Sequence, residues 1–116
     1  MATLQEVAER ISSLEEATTV RREVSERGET VVLTNGCFDL LHAGHISFLE
    51  TAKSFGDILI LGLNSDRSVT KLKGEDRPIT IQKDRAYILA ALEVVDYVVI
   101  FDEDTPYELI KSIQPH

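Results

Sequence analysis

Two histidines stand three residues apart in the stretch Thr34-Asn35-Gly36-Cys37-Phe38-Asp39-Leu40-Leu41-His42-Ala43-Gly44-His45. On one helical turn that spacing puts both rings on the same side, where two imidazole N–H groups can meet one phosphate. The pair by itself also fits a metal ligand or an unused surface pair. No Cys pair and no neighbouring third His completes a zinc site. Gly36 lets backbone come close to a ligand. Gly44 opens a helix whose free N–H groups and dipole favour an anion. Cys37 reads as a small packing residue, Phe38 as core or as a cover for a nucleotide, and Asp39 as a residue that fixes the loop. Downstream, Arg67, Lys71, Lys73, Arg77, Lys83 and Arg85 outnumber Glu75, Asp76 and Asp84 in a chain whose formal net charge is -8. Such a stretch reads either as a site for a small anion or as a solvated charged face.

These residues need elements to hold them. Residues 3–27 read as helix, with capping boxes at Thr3/Glu6 and Ser13/Glu16 and a break near Ser12-Ser13. Gly28 stops it. Residues 29–34 form a first strand whose continuous apolar run suits a strand covered on both faces. Residues 37–41 are loop and 44–54 helix, ended by Gly56. A second buried strand covers 57–63, a short helical turn 64–70, and a polar loop 71–78. Thr80 caps a helix over 81–93, and a third strand lies within 94–101. Thr105 caps a last helix to Ile113, with Pro106 at its first position and Glu108 closing a third capping box. Strands alternating with helices argue for a parallel sheet with right-handed crossovers.

The 116-residue length suits one domain, and 43% apolar with 28% charged residues is ordinary for a globular chain. With no Trp and few aromatics, the core rests on Val, Ile, Leu and Ala. The negative charge disfavours nucleic acid and anionic membrane surfaces as partners. A single cysteine excludes an internal disulfide. No apolar leader or membrane-length run is present, so a cytoplasmic protein is expected.

The stretch from Thr34 to His45 resembles the signature of the cytidylyltransferase-like nucleotidyltransferases, His-x-Gly-His after a Gly-x-Phe-Asp turn. The likeness continues through Asn64-Ser65-Asp66, Lys71-Leu72-Lys73-Gly74, Arg77-Pro78-Ile79, Arg85-Ala86 and Val95-Asp96-Tyr97-Val98-Val99. Phe101-Asp102-Glu103-Asp104-Thr105-Pro106 is typical of one branch, the adenylyltransferase domain of the bifunctional heptose kinase/adenylyltransferases, or ADP-heptose synthases. The resemblance implies an α/β, Rossmann-like three-layer sandwich with a parallel sheet. It divides the chain into an N-terminal helical segment, 1–28, and a nucleotidyltransferase domain, 29–116. In the resembled family another strand and a Lys-Gly-x-Asp-Tyr segment follow where this sequence reads Ile113-Gln114-Pro115-His116. The expectation is therefore a domain lacking that strand and the nucleotide-gripping segment.

The resemblance also implies a reaction. A phosphorylated acceptor attacks the α-phosphorus of ATP or CTP, with Mg²⁺, and pyrophosphate leaves. His42 and His45 are then the donors to the α-phosphate, with Lys73 as a third catalytic residue. Gly36, Cys37, Phe38, Gly44, Asn64, Asp66, Lys71 and Arg85 surround the nucleotide and its phosphates, and no resident metal ligand is assigned. Arg77 stays open between phosphate contact and solvated loop. The leading expectation is AMP transfer from ATP to a sugar 1-phosphate such as heptose 1-phosphate. The alternatives are a CTP-using cytidylyltransferase acting on glycerol 3-phosphate, a nucleotide-binding module without catalysis, a metal-binding protein using His42 and His45, and a redox role for Cys37. A homodimer is expected as well.

Overall fold

The computed structural model describes residues 3–103 and 105–115. Asp104, within the Phe101–Pro106 stretch, and His116 lie outside the described residues. The elements are α1 (Leu4–Glu9), β1 (Ile11–Ser12), α2 (Leu14–Glu26), β2 (Val31–Gly36), α3 (Ala43–Lys53), β3 (Ile58–Asn64), α4 (Asp66–Lys73), α5 (Gln82–Ala90), β4 (Tyr97–Phe101) and α6 (Tyr107–Ile113). The strands form one parallel sheet in the order β1-β4-β3-β2.

Alternation along β3 sorts the helices into layers. Leu59, Leu61 and Leu63 point to one face and pack with Val7 of α1, Leu49 of α3, and Ala86, Leu89 and Ala90 of α5. Ile60 points to the other face and joins Ala17 and Val24 of α2, Val31 of β2, Val99 and Phe101 of β4, and Leu109 and Ile113 of α6. The result is the expected three-layer α/β/α sandwich with a parallel sheet. Both sides of β3 are covered, which explains its unbroken apolar sequence.

The break expected near Ser12-Ser13 is itself a strand. Ile11 pairs with Val98 and Ser12 with Val99, so residues 1–28 are not purely helical and the sheet has four strands, not three. Two residues are too few to show a strand period, and only the β4 edge gives them a partner. The capping boxes fared unequally. At Ser13/Glu16 both bonds form, and Thr3 accepts from the Glu6 N–H. Thr80 is not the cap of α5: Ile81 holds that position without a side-chain bond, while the Thr80 N–H donates to Asp39. Pro106, not Thr105, holds the N-cap position of α6, although the Thr105 hydroxyl accepts from the Tyr107 N–H at 3.4 Å. Residues 66–73 are a full two turns of helix, so Lys71 and Lys73 sit on α4 and not in a loop. Ser65 makes this possible by accepting from the Ser68 N–H at the helix start.

Candidate functional site

A cleft of about 810 Å³ opens at the carboxyl ends of β2 and β3, where parallel sheets bind ligands. Asn35, Gly36, Cys37 and Phe38 line it from the end of β2. His42 and His45 line it from the start of α3, Asn64 from the end of β3, and Leu72 and Lys73 from α4. Arg77 and Pro106 close its margins. Among the described residues, Asp39 is the one acidic side chain of the lining.

The two imidazoles are stacked, with centroids 3.8 Å apart and planes 19° from parallel. Their placement follows from helix capping. His42 is the N-cap of α3, and its Nδ1 accepts from the Gly44 N–H at 3.1 Å. The Nδ1 of His45 accepts in return from the His42 N–H at 3.3 Å. This reciprocal box, usually made by Ser and Glu, is made here by two histidines. An accepting Nδ1 carries no proton, so each neutral ring bears its proton on Nε2. Two Nε2–H donors remain for an anion. Burial, and then the charge of neighbouring His42, hold the His45 pKa below its ordinary value, so His45 is a neutral donor near neutral pH.

Gly44 therefore serves differently from its expected role. Its N–H is occupied by His42, not free for a phosphate, and a Cβ there would lie 2.9 Å from the His42 ring. Gly44 makes room for the ring to fold back over the helix start. Gly36 makes room in the same way for Phe38, whose ring a Cβ would approach to 2.7 Å. Phe38 holds φ at 45°, in the left-handed region that a bulky residue rarely adopts. Its ring meets His45 edge-on at 5.2 Å.

Asp39 does fix the loop. Its carboxylate accepts from Arg77 Nη1 at 3.0 Å, from the Ile79 N–H and from the Thr80 N–H at 2.9 Å. Desolvation raises its pKa, but these donors outweigh that and the net shift is downward. Arg77 is thus held at the cleft margin, a placement for which the sequence offers no periodic signal.

Lys73 reaches the cleft, whereas Lys71 is not part of the lining. Two residues apart on a helix, the pair diverges by about 200°. Asn64 is buried at the cleft floor and donates to Ser68 Oγ. Arg85 and Asp66 do not match the phosphate-contact role expected of them. Arg85 is 2% exposed, and its guanidinium donates to Thr80 O, Cys37 O, Asn64 O and Asp66 Oδ1. The ion pair to Asp66 measures 2.8 Å. Neither residue lines the cleft. A guanidinium spent on four internal acceptors has little left for a ligand. Residues 35, 40, 69, 72 and 106 enter the lining without having been legible as site residues, since apolar and amide walls carry no distinctive spacing.

Known proteins resemble this chain in sequence and fold. The family model described as cytidylyltransferase-like matches residues 33–116. "Bifunctional protein HldE" of Aliarcobacter butzleri (strain RM4018) is 62% identical over 91% of this chain, which covers 22% of that protein. The protein of the same name from Sulfurimonas denitrificans is 61% identical over 90% of the chain, again covering 22% of it. The chain thus spans about a fifth of the length of the curated relatives it matches. Among solved structures, the lipopolysaccharide core biosynthesis protein from Thermoplasma volcanium GSS1 superposes with a TM-score of 0.67 at 30% identity. That match covers 75% of this chain and 70% of the other. Among the described residues, no helix is long and apolar enough to cross a membrane. With its His-x-Gly-His loop, its parallel sheet and these matches, the chain belongs to the cytidylyltransferase-like family of nucleotidyltransferases.

Proposed function

We propose that this chain transfers AMP from ATP to a sugar 1-phosphate such as heptose 1-phosphate, releasing pyrophosphate. The observation that supports the reading is the stacked His42–His45 pair in the cleft lining, whose Nδ1 atoms are taken up by the helix cap and so leave two Nε2–H donors for an anion. The sugar phosphate is supported by the resemblance to the heptose branch. The structural neighbour, a lipopolysaccharide core biosynthesis protein, points the same way.

In this reading the triphosphate lies across the start of α3, with Lys73 and Arg77 supplying positive charge along the cleft. An oxygen of the acceptor's phosphate attacks the α-phosphorus in line. The bond to the bridging oxygen breaks, and pyrophosphate leaves with the electron pair. His42 and His45 donate to the α-phosphate oxygens as charge gathers there, so they lower the barrier electrostatically. No protein atom bonds to phosphorus.

The residues fit Mg²⁺ as an ion carried by the triphosphate. Among the described residues no group of three or more His, Cys, Asp or Glu is arranged to hold a metal. Asp39, the acidic group of the cleft, already accepts from three protein donors. When bound, Mg²⁺ supplies positive charge to the phosphates of the leaving group. A homodimer belongs to the same proposal: the outer edge of β2 has no strand partner among the described residues, and Phe48 and Phe55 beside it are exposed. Sedimentation velocity reads that state.

The test is pyrophosphate release with Mg²⁺, pairing ATP or CTP with heptose 1-phosphate or glycerol 3-phosphate. Release with ATP and heptose 1-phosphate is the expected outcome. Release with CTP and glycerol 3-phosphate would replace the proposal with the cytidylyl reading. Triphosphate binding without release from any pair would leave a binding module.

A further inference from the structure

We propose that Arg85 is a positioning residue that locks the His42–His45 loop and the Lys73 helix into one frame. Its consequence for catalysis rests on the nucleotidyl-transfer reading, whereas its structural content does not. Arg85 lies on α5, is 2% exposed and stands outside the cleft lining, so it acts through other groups.

The four acceptors of its guanidinium come from four separate parts of the site. Nη1 donates at 2.7 Å to the carbonyl of Cys37, the first residue after β2 and the start of the loop to His42. It also donates at 2.9 Å to the carbonyl of Asn64, the last residue of β3. Nη2 donates at 2.8 Å to Asp66 Oδ1, on the first residue of the helix that ends at Lys73. Nε donates at 2.8 Å to the Thr80 carbonyl, in the segment that Asp39 grips. One rigid planar group thereby spans the motif loop, a strand end, a helix start and the loop behind the cleft. A buried cation is costly unless it is paired and bonded throughout, and these bonds meet that condition. The task needs Arg, because the guanidinium fork presents donors in several fixed directions and a lysine ammonium presents three from one point. The Asp66 carboxylate is 37% exposed, so it closes the frame from the solvent side.

The test compares amide hydrogen exchange in the wild-type chain, Arg85→Lys and Asp66→Ala, with pyrophosphate release in parallel. In Arg85→Lys, exchange is expected to rise about tenfold in residues 36–41 and 66–73 together, with β3 and β4 protected as in wild type. In Asp66→Ala, the decisive readout is a similar rise in 36–41, a segment to which the Asp66 carboxylate is linked through Arg85. With transfer activity, kcat of Arg85→Lys is expected to fall about tenfold or more, while KM for the triphosphate changes less than about threefold. A raised KM at unchanged kcat would make Arg85 a phosphate ligand and overturn the proposal. Faster exchange confined to the altered residue's own element would overturn it too. If Arg85→Lys loses strand protection altogether, Asp66→Ala decides alone. If the wild-type chain releases no pyrophosphate with any pair, the transfer reading fails, and the exchange data still decide the role of Arg85.

Discussion

Each imidazole at the start of α3 does two jobs, and substitutions separate them. Nδ1 caps the helix, and in the proposed reaction the Nε2–H donates to the α-phosphate. His45→Ala removes both and is expected to lower turnover by roughly 100-fold or more in pyrophosphate release, as loss of a transition-state donor does. His45→Gln keeps an acceptor for the His42 N–H, as Gln does in ordinary capping boxes. It should preserve stability near neutral pH and still lose the turnover. The pH response follows from the lowered His45 pKa. The unfolded chain takes up this proton first as pH falls. The stability contributed is therefore full above the ordinary value of 6.5 and is lost as pH drops through the folded value. Asp39 acts in the same direction at more acid pH, because its folded pKa also lies below its ordinary value. Melting curves between about pH 7.5 and about pH 5.5 should show wild type losing more Tm than His45→Gln. The histidine pair and both glycines were visible in the sequence as a phosphate motif. The direction of each ring was not, because it depends on which backbone N–H each Nδ1 meets.

The helix α4 brings Lys73 to the cleft, and its start is fixed by side chains from across the sheet. Ser65 caps it by accepting from the Ser68 N–H, and the Ser65 hydroxyl in turn donates to Asp102, beyond β4. That bond, followed by the Arg67 charge, holds the Asp102 pKa below its ordinary value. Ser65→Ala should cost about 1 kcal/mol in denaturant unfolding, the usual worth of an N-cap. At α6 the constraint is steric. A Cβ on Gly62 would lie 2.4 Å from Leu109 Cδ2, so Gly62→Ala should destabilise the chain by about 1–3 kcal/mol through overpacking, measured the same way. These dependences are why the sequence reading ended α4 early: Lys71-Leu72-Lys73-Gly74 looks like a polar loop until Val69, one turn before it, is seen fully buried. The strand β1 was invisible for a related reason, since its two residues have no pattern apart from their β4 partners.

At the scale of the whole molecule, the described residues form a sheet covered on both faces, with β2 as the longer of its two edge strands. Outside β2 lies an apolar groove formed by Val32, Leu33, Phe48, Ala52 and Phe55, with Phe55 77% exposed. An unpaired edge beside apolar surface favours association. Phe55→Lys should reduce light scattering at high protein concentration and leave Tm nearly unchanged, because that side chain makes few buried contacts. A fall in Tm comparable to that of a core substitution would show instead that Phe55 supports the fold.

The order of types along the chain was enough to determine the class of fold and to propose a place for the chemistry. Apolar runs of strand length, separated by helical periods and followed by a glycine-flanked His-x-x-His, leave few alternatives to a phosphate site at the end of a parallel strand. These signals are local, carried by residues within a few positions of one another. The tertiary structure decided which cations face the cleft and which are spent inside. Lys71, Lys73, Arg77 and Arg85 are alike as sequence, yet Lys73 and Arg77 line the cleft while Arg85 is buried against four acceptors. The reason is that a cation's role depends on the acceptors around it, and those of Arg85 lie up to 48 residues away in the chain.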